Sequence, residues 1–127
     1  QLFGSIGEIV QVENDEQLQS LWAATAMMAP YFGLLNSVSN WLKSQSIDPA
    51  EADRYVASLF HAIADTGLSV KKEGFSGMAI DHATPGGLNE QLLRELTNSG
   101  CYDKVDSGLS LIFERLNGRA SFDDSIE

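Results

Sequence analysis

Apolar residues return at helical spacing in one segment after another, and this period leaves few folds open. Leu18, Leu21, Trp22 and Thr25 form the first stripe, behind Asn14 or Asp15 as N-cap. Pro30 ends or kinks that helix. Tyr31, Leu34, Leu35, Val38, Trp41 and Leu42 form the second stripe, and its first turn, with Met27, Met28, Ala29 and Phe32, is apolar nearly all round. Asp48-Pro49-Ala50-Glu51 is a strong helix start. Asp48 caps, Pro49 sits where a missing N–H is harmless, and Glu51 can reach back as in a capping box. Behind it come Ala52, Tyr55, Val56, Leu59, Phe60 and Ile63, closed by Gly67 at the C′ position.

Lys71 to Phe75, with Gly74 and Gly77, reads as a short helix through Met78. Thr84 and Pro85 read as N-cap and first residue of a helix carrying Leu88, Leu92, Leu93 and Leu96, ending at Asn98-Ser99-Gly100. The last helix starts near Tyr102-Asp103, buries Val105, Leu109, Ile112, Phe113 and Leu116, and stops at Asn117-Gly118. The one β-rich run is Glu8 to Val12. The expectation is an all-α bundle of five or six helices with at most one short N-terminal strand. A chain of 127 residues suits one domain. Residues 1–13 read as a linker or remnant, 14–120 as the helical domain and 121–127 as an acidic tail.

Eight Lys and Arg against eighteen Asp and Glu give a net charge of −10. Such a surface repels phosphate backbones and anionic bilayers, so neither nucleic acid nor membrane is an expected partner. No apolar run approaches the ~20 residues of a membrane span. A single cysteine, Cys101, has no partner for an internal disulfide, which suits a reducing cytoplasm. The first residues carry neither an initiator methionine nor a signal-peptide pattern, so the chain reads as a fragment or processed piece. No G-x-G-x-x-G, Walker, H-E-x-x-H or G-x-S-x-G motif occurs, and no Cys/His cluster has metal-ligand spacing, so no metal is expected.

The segment most informative about chemistry is Asp81-His82-Ala83-Thr84-Pro85-Gly86-Gly87-Leu88-Asn89-Glu90. A helix start presents unpaired N–H groups and partial positive charge. Glycine costs about 1 kcal/mol per helical position relative to alanine, so adjacent glycines in a first turn need a reason. One reason is a carboxylate or phosphate docked on the Gly86 and Gly87 N–H groups. The other is close helix–helix approach through the glycine face. His82 could supply a proton to a reduced nitrogen or oxygen, or be a loop histidine bonded to backbone. Asn89 has donor and acceptor capacity for a substrate contact. Glu90 suits the helix dipole, and Met27 and Met28 suit packing.

Over nearly its whole length the chain resembles the C-terminal dimerisation and substrate domain of the pyrroline-5-carboxylate reductase family. Leu2-Phe3, Gly7 and the run to Val12 resemble the end of that family's dinucleotide-binding domain. Ala29-Pro30-Tyr31-Phe32 resembles the end of its Ser-Gly-Ser-Gly-Pro-Ala-Tyr segment, and Thr84-Pro85-Gly86-Gly87 its Thr-Ser-Pro-Gly-Gly-Thr-Thr motif. The resemblance implies an oxidoreductase of proline biosynthesis that reduces a cyclic imine carboxylate with NADP or NAD, the nucleotide being bound by a domain missing from this chain. It also implies an interlocked homodimer whose substrate carboxylate sits at Thr84, Pro85, Gly86 and Gly87. Leu88 and Asn89 replace the family's two threonines, and Ala26-Met27-Met28-Ala29 replaces its Ser-Gly-Ser-Gly. Another imine- or keto-type carboxylate is therefore as good an expectation as pyrroline-5-carboxylate. Two further readings stand beside this one: a stand-alone helical dimerisation or interaction module, and a small-carboxylate binder using the 84–87 helix start alone. The apolar stretch 26–35 and the broad stripes exceed what one small bundle hides, which independently predicts an obligate dimer.

Overall fold

The computed structural model describes residues 10–122, which are helical and carry no strand. The helices are α1 (Asp15–Thr25), α2 (Met28–Ser44), α3 (Pro49–Gly67), α4 (Gly74–His82), α5 (Leu88–Asn98) and α6 (Cys101–Leu116). Most of the expected N-terminal strand falls on 1–9, outside the described residues, and Val10 to Val12 are irregular. Most of the acidic tail, 123–127, also lies outside them. By its internal contacts the chain divides into two compact units, with boundaries before Met28 and, inside α6, after Lys104.

The larger unit, Met28–Lys104, is built on the α2–α3 hairpin, the closest helix pair in the chain. The chain reverses after α2 through Ser46, at φ 68°, with the Ile47 N–H donating to the Leu42 carbonyl at 3.3 Å. Asp48 then caps α3 as the sequence predicts: its Oδ1 accepts from the N–H groups of Ala50 (3.0 Å) and Glu51 (3.1 Å), and Pro49 opens the helix. The Glu51 carboxylate lies 3.8 Å from Arg54. Gly67 is the last helical residue rather than C′, and Leu68 is the C-cap.

The hairpin is antiparallel. Tyr31 meets Phe60 edge to face at 6.0 Å, and further along Lys43 Nζ lies 2.8 Å from Asp53 Oδ1, which also accepts from the Ser39 hydroxyl. The hydrogen bonds from Lys43 and then Ser39 hold the Asp53 carboxyl below the usual aspartate range. Ser39, Ala52 and Val56 are buried, while Leu35, Val38, Leu42 and Phe60 are half-buried. One edge of each stripe is therefore covered. The other edge is bare: Trp41 is 62% exposed, Tyr55 61% and Ile63 55%. Met28 and Phe32, in the apolar first turn of α2, are exposed too.

Two boundaries differ from the sequence reading in ways that matter for function. α4 continues past Met78 to His82, so Asp81 and His82 belong to a helix end and not to a loop. α5 begins at Leu88, three residues later than a start capped by Thr84 would place it.

In the smaller unit, Asn14 is the N-cap of α1. Its Oδ1 accepts from the Gln17 N–H at 2.9 Å, and Gln17 Oε1 accepts from the Glu13 N–H at 2.7 Å. This reciprocal pair answers one orphan donor of the helix start, the Gln17 N–H, and ties the preceding residue to it. Ala23 is buried, while Leu18, Leu21 and Trp22 are exposed. α1 ends in a turn at Ala26 and Met27, before Pro30 is reached. Pro30 instead sits in the first turn of α2, where a missing N–H breaks no helical bond. Leu109, Ile112 and Phe113 of α6 are half-buried, and Arg119 pairs with Glu114 at 2.8 Å.

Candidate functional site

Thr84-Pro85-Gly86-Gly87 folds as a tight turn and not as the first turn of a helix. The Gly87 N–H donates to the Thr84 carbonyl at 2.8 Å. Pro85 supplies the fixed negative φ of the first central position, and Gly86, at φ +75°, supplies the positive φ of the second, which is the signature of a type II turn. Gly87 is the N-cap of α5, and a Cβ there would stand 2.9 Å from the Thr84 carbonyl oxygen. The two glycines thus have separate backbone reasons, a left-handed φ and a close approach. This corrects the expectation that Thr84 caps the helix with Pro85 as its first residue. A valine at 87 would set its Cβ against the Thr84 carbonyl.

No side chain occupies the usual cap position of α5. Glu90 instead fastens the turn that precedes the helix: its Oε2 accepts from the Gly86 N–H at 2.6 Å. Both N–H groups expected to receive a substrate carboxylate therefore have partners within the chain, a carbonyl for Gly87 and a carboxylate for Gly86.

His82 and Asn89 come together across this turn. His82, the last residue of α4, has Nδ1 2.8 Å from the Met78 carbonyl, one helical turn back. The Asn89 side-chain amide donates to the His82 carbonyl at 3.2 Å, tying the first turn of α5 to the end of α4. His82 therefore is bonded to backbone, as one of its two readings held, but from a helix.

Both side chains line an open groove of about 730 Å³. Its apolar walls are Leu59 and Ile63 of α3, Leu68, and Phe75 and Met78 of α4. Ala62, Gly67 and Ala79 leave its middle open. No Arg or Lys is among its lining residues. The groove is what sequence reasoning missed. Leu59 and Ile63 belong to the α3 stripe but lie beyond what α2 covers, which the stripe alone does not show. Thr84, Pro85, Gly86 and Gly87 do not line it, so the structure brings together only His82 and Asn89 of the expected site residues.

Among the described residues, no group of three or more His, Cys, Asp or Glu could hold a metal ion, and no helix is long and apolar enough to cross a membrane. No family model, curated protein or solved structure matches the chain.

Proposed function

We propose that this chain is the helical dimerisation and substrate-side domain of an NAD(P)H-dependent reductase similar to the pyrroline-5-carboxylate reductases, acting as a homodimer on an imine- or keto-type carboxylate. The observation that carries this reading is the α4–α5 junction. A Pro-Gly-Gly turn there sets His82 and Asn89 side by side at the edge of an apolar groove. Apolar walls with a few polar groups are the usual make-up of a small-molecule site. In this reading His82 is the proton donor, Asn89 orients the substrate, and the 84–87 turn receives its carboxylate once Glu90 is displaced from the Gly86 N–H.

The described residues do not fit the dinucleotide. No strand leads into a glycine-rich turn, and no cation lines the groove to meet a pyrophosphate. The proposal therefore places the nucleotide on another domain. The dimer rests on the bare edges of the α2 and α3 stripes, including Phe32, Trp41 and Tyr55.

The test is oxidation of NADPH or NADH by the gene product that contains this chain, with pyrroline-5-carboxylate and related cyclic imine and keto carboxylates as substrates. Carboxylate-dependent oxidation supports the reading, and its absence with all of them overturns it. Light scattering checks the dimer separately: a stable monomer at micromolar concentration would remove it.

One observation favours a second reading, the dimerisation module without catalysis. The amides expected to hold a substrate already have partners in Thr84 and Glu90. A dimer that never turns over a carboxylate is the result that reading expects.

A further inference from the structure

The groove does not end at His82. A second cavity of about 220 Å³ shares Thr66, Met78 and His82 with it, and the character of the lining changes there. Glu73 and Asp81 face this annex, with Lys71 as the cation on its rim. His82 therefore borders both an apolar trough and a pocket with two carboxylates to one ammonium.

The hydrogen bonds at the junction fix what this polar end offers a ligand. A carbonyl only accepts, so the His82 nitrogen 2.8 Å from the Met78 carbonyl carries the proton. In the neutral ring Nε2 is then an acceptor. Asn89 gives an N–H to the His82 carbonyl, which leaves its Oδ1 as an acceptor. Acceptors and carboxylates call for a ligand end that is a donor and a cation.

We propose that the groove and its annex together bind a hydrophobic amine. Its apolar body lies along Leu59, Ile63, Phe75 and Met78, and its ammonium sits at the His82 end. There Nε2 of His82 and Oδ1 of Asn89 accept its N–H bonds, and Asp81 and Glu73 balance its charge. Volume favours a small molecule, since ligand pockets commonly enclose about 300–1,000 Å³. Charge favours a cation, locally at the annex and across a chain of net charge −10. This inference goes beyond the reductase reading and does not depend on it, because it concerns binding without turnover.

The experiment compares three probes of one shape: tetrahydroisoquinoline, which is a cation, its hydrocarbon analogue tetralin, and tetralin carboxylate. Dissociation constants are read from chemical-shift changes of the chain at about pH 8, above the range in which imidazoles ordinarily charge. The amine should bind at least about tenfold more tightly than the carboxylate, with shifts centred on Phe75, Met78 and His82. Replacing both Glu73→Gln and Asp81→Asn should weaken the amine about tenfold and leave tetralin unchanged. These surface changes keep the test independent of packing. Ala79→Phe, checked for retained helicity by circular dichroism, should exclude the amine and tetralin together. Equal affinity for the carboxylate, or indifference of the amine to the Glu73 and Asp81 changes, overturns the proposal. So does an Ala79→Phe variant that dissociates a dimer in light scattering, because the groove would then be covered by a second copy of the chain. Failure of the amine to bind leaves carboxylate-dependent NAD(P)H oxidation untouched, so the two readings fail separately.

Discussion

Two segments of this chain read alike and fold differently. Asp48-Pro49-Ala50-Glu51 and Thr84-Pro85-Gly86-Gly87 each set a capping side chain before a proline, as helix starts do. The first is a helix start: Asp48 takes two backbone N–H groups and Pro49 opens α3. The second is a turn, and its helix begins only at Leu88. The difference lies after the proline. Ala50 and Glu51 continue readily in helical φ/ψ, whereas Gly86 adopts φ +75° and allows the chain to close back on Thr84. A proline followed by glycine is a turn signal before it is a helix signal. No side chain then caps α5, and Glu90, five residues after the proline, holds the turn through the Gly86 N–H.

The largest effect that would break this comparison is expected at Gly86. A residue with a Cβ pays roughly 1–2 kcal/mol in the left-handed region, and β-branching adds to this. Gly86→Val should therefore cost about 2 kcal/mol in denaturant unfolding, and Gly86→Asn distinctly less, since asparagine tolerates that φ. If valine is accepted without loss, the turn is not type II and the two starts are more alike than they look.

Next in size is Asp48→Ala, which removes the side chain capping α3 and should cost about 1 kcal/mol. The same melts should show Glu90→Ala costing somewhat less, because its bond to the Gly86 N–H is a single one near solvent. Glu90→Ala also frees that N–H. If the reductase reading holds, KM for the carboxylate substrate should fall in the intact enzyme. An unchanged KM would show that Gly86 never meets the substrate.

The hairpin whose second helix Asp48 opens has a pH-dependent clamp. Asp53 has its carboxyl pKa depressed by Lys43 and Ser39, so its contribution is present above the ordinary aspartate pKa of about 3.9 and is lost as pH falls through the lower folded value. Asp53→Asn should lower Tm at about pH 7, and the difference from wild type should close towards about pH 2. A gap that persists in acid would assign the effect to packing around Ser39 rather than to charge.

What was legible in the sequence follows the same division. Helix identity was readable wherever the 3.6-residue period ran long, as in α2, α3 and α6, because the stripe itself is the driving force for burial. Asp48 was readable because a cap acts within three residues. The α4 end was not, since the run from Lys71 to Met78 has weak periodicity and nothing marks His82 as its last turn. The groove was not legible either. It depends on how much of the α3 stripe α2 covers, and a stripe does not say where its cover stops. His82 and Asn89 were singled out for their chemistry, seven residues apart. Their meeting comes from a turn whose type was read wrongly, through a bond from the Asn89 amide to a backbone carbonyl.

The smallest expected effect is the most discriminating. As an N-cap, Thr84 would contribute about 1 kcal/mol through its hydroxyl. In the structure Thr84 takes part through its backbone carbonyl, which accepts the Gly87 N–H, and α5 receives no side-chain cap. Alanine keeps that carbonyl. Thr84→Ala should therefore change stability by no more than about 0.5 kcal/mol, the range of an ordinary surface substitution. Measured beside Asp48→Ala in the same background, it asks whether two starts of the same pattern are stabilised by the same means. Equal losses near 1 kcal/mol would restore Thr84 as a cap and move the start of α5 back to Pro85. The Gly86 and Gly87 N–H groups would then lie in a first helical turn, free to receive an anion. Unequal losses leave α5 without a side-chain cap and keep the 84–87 segment a turn held by Glu90.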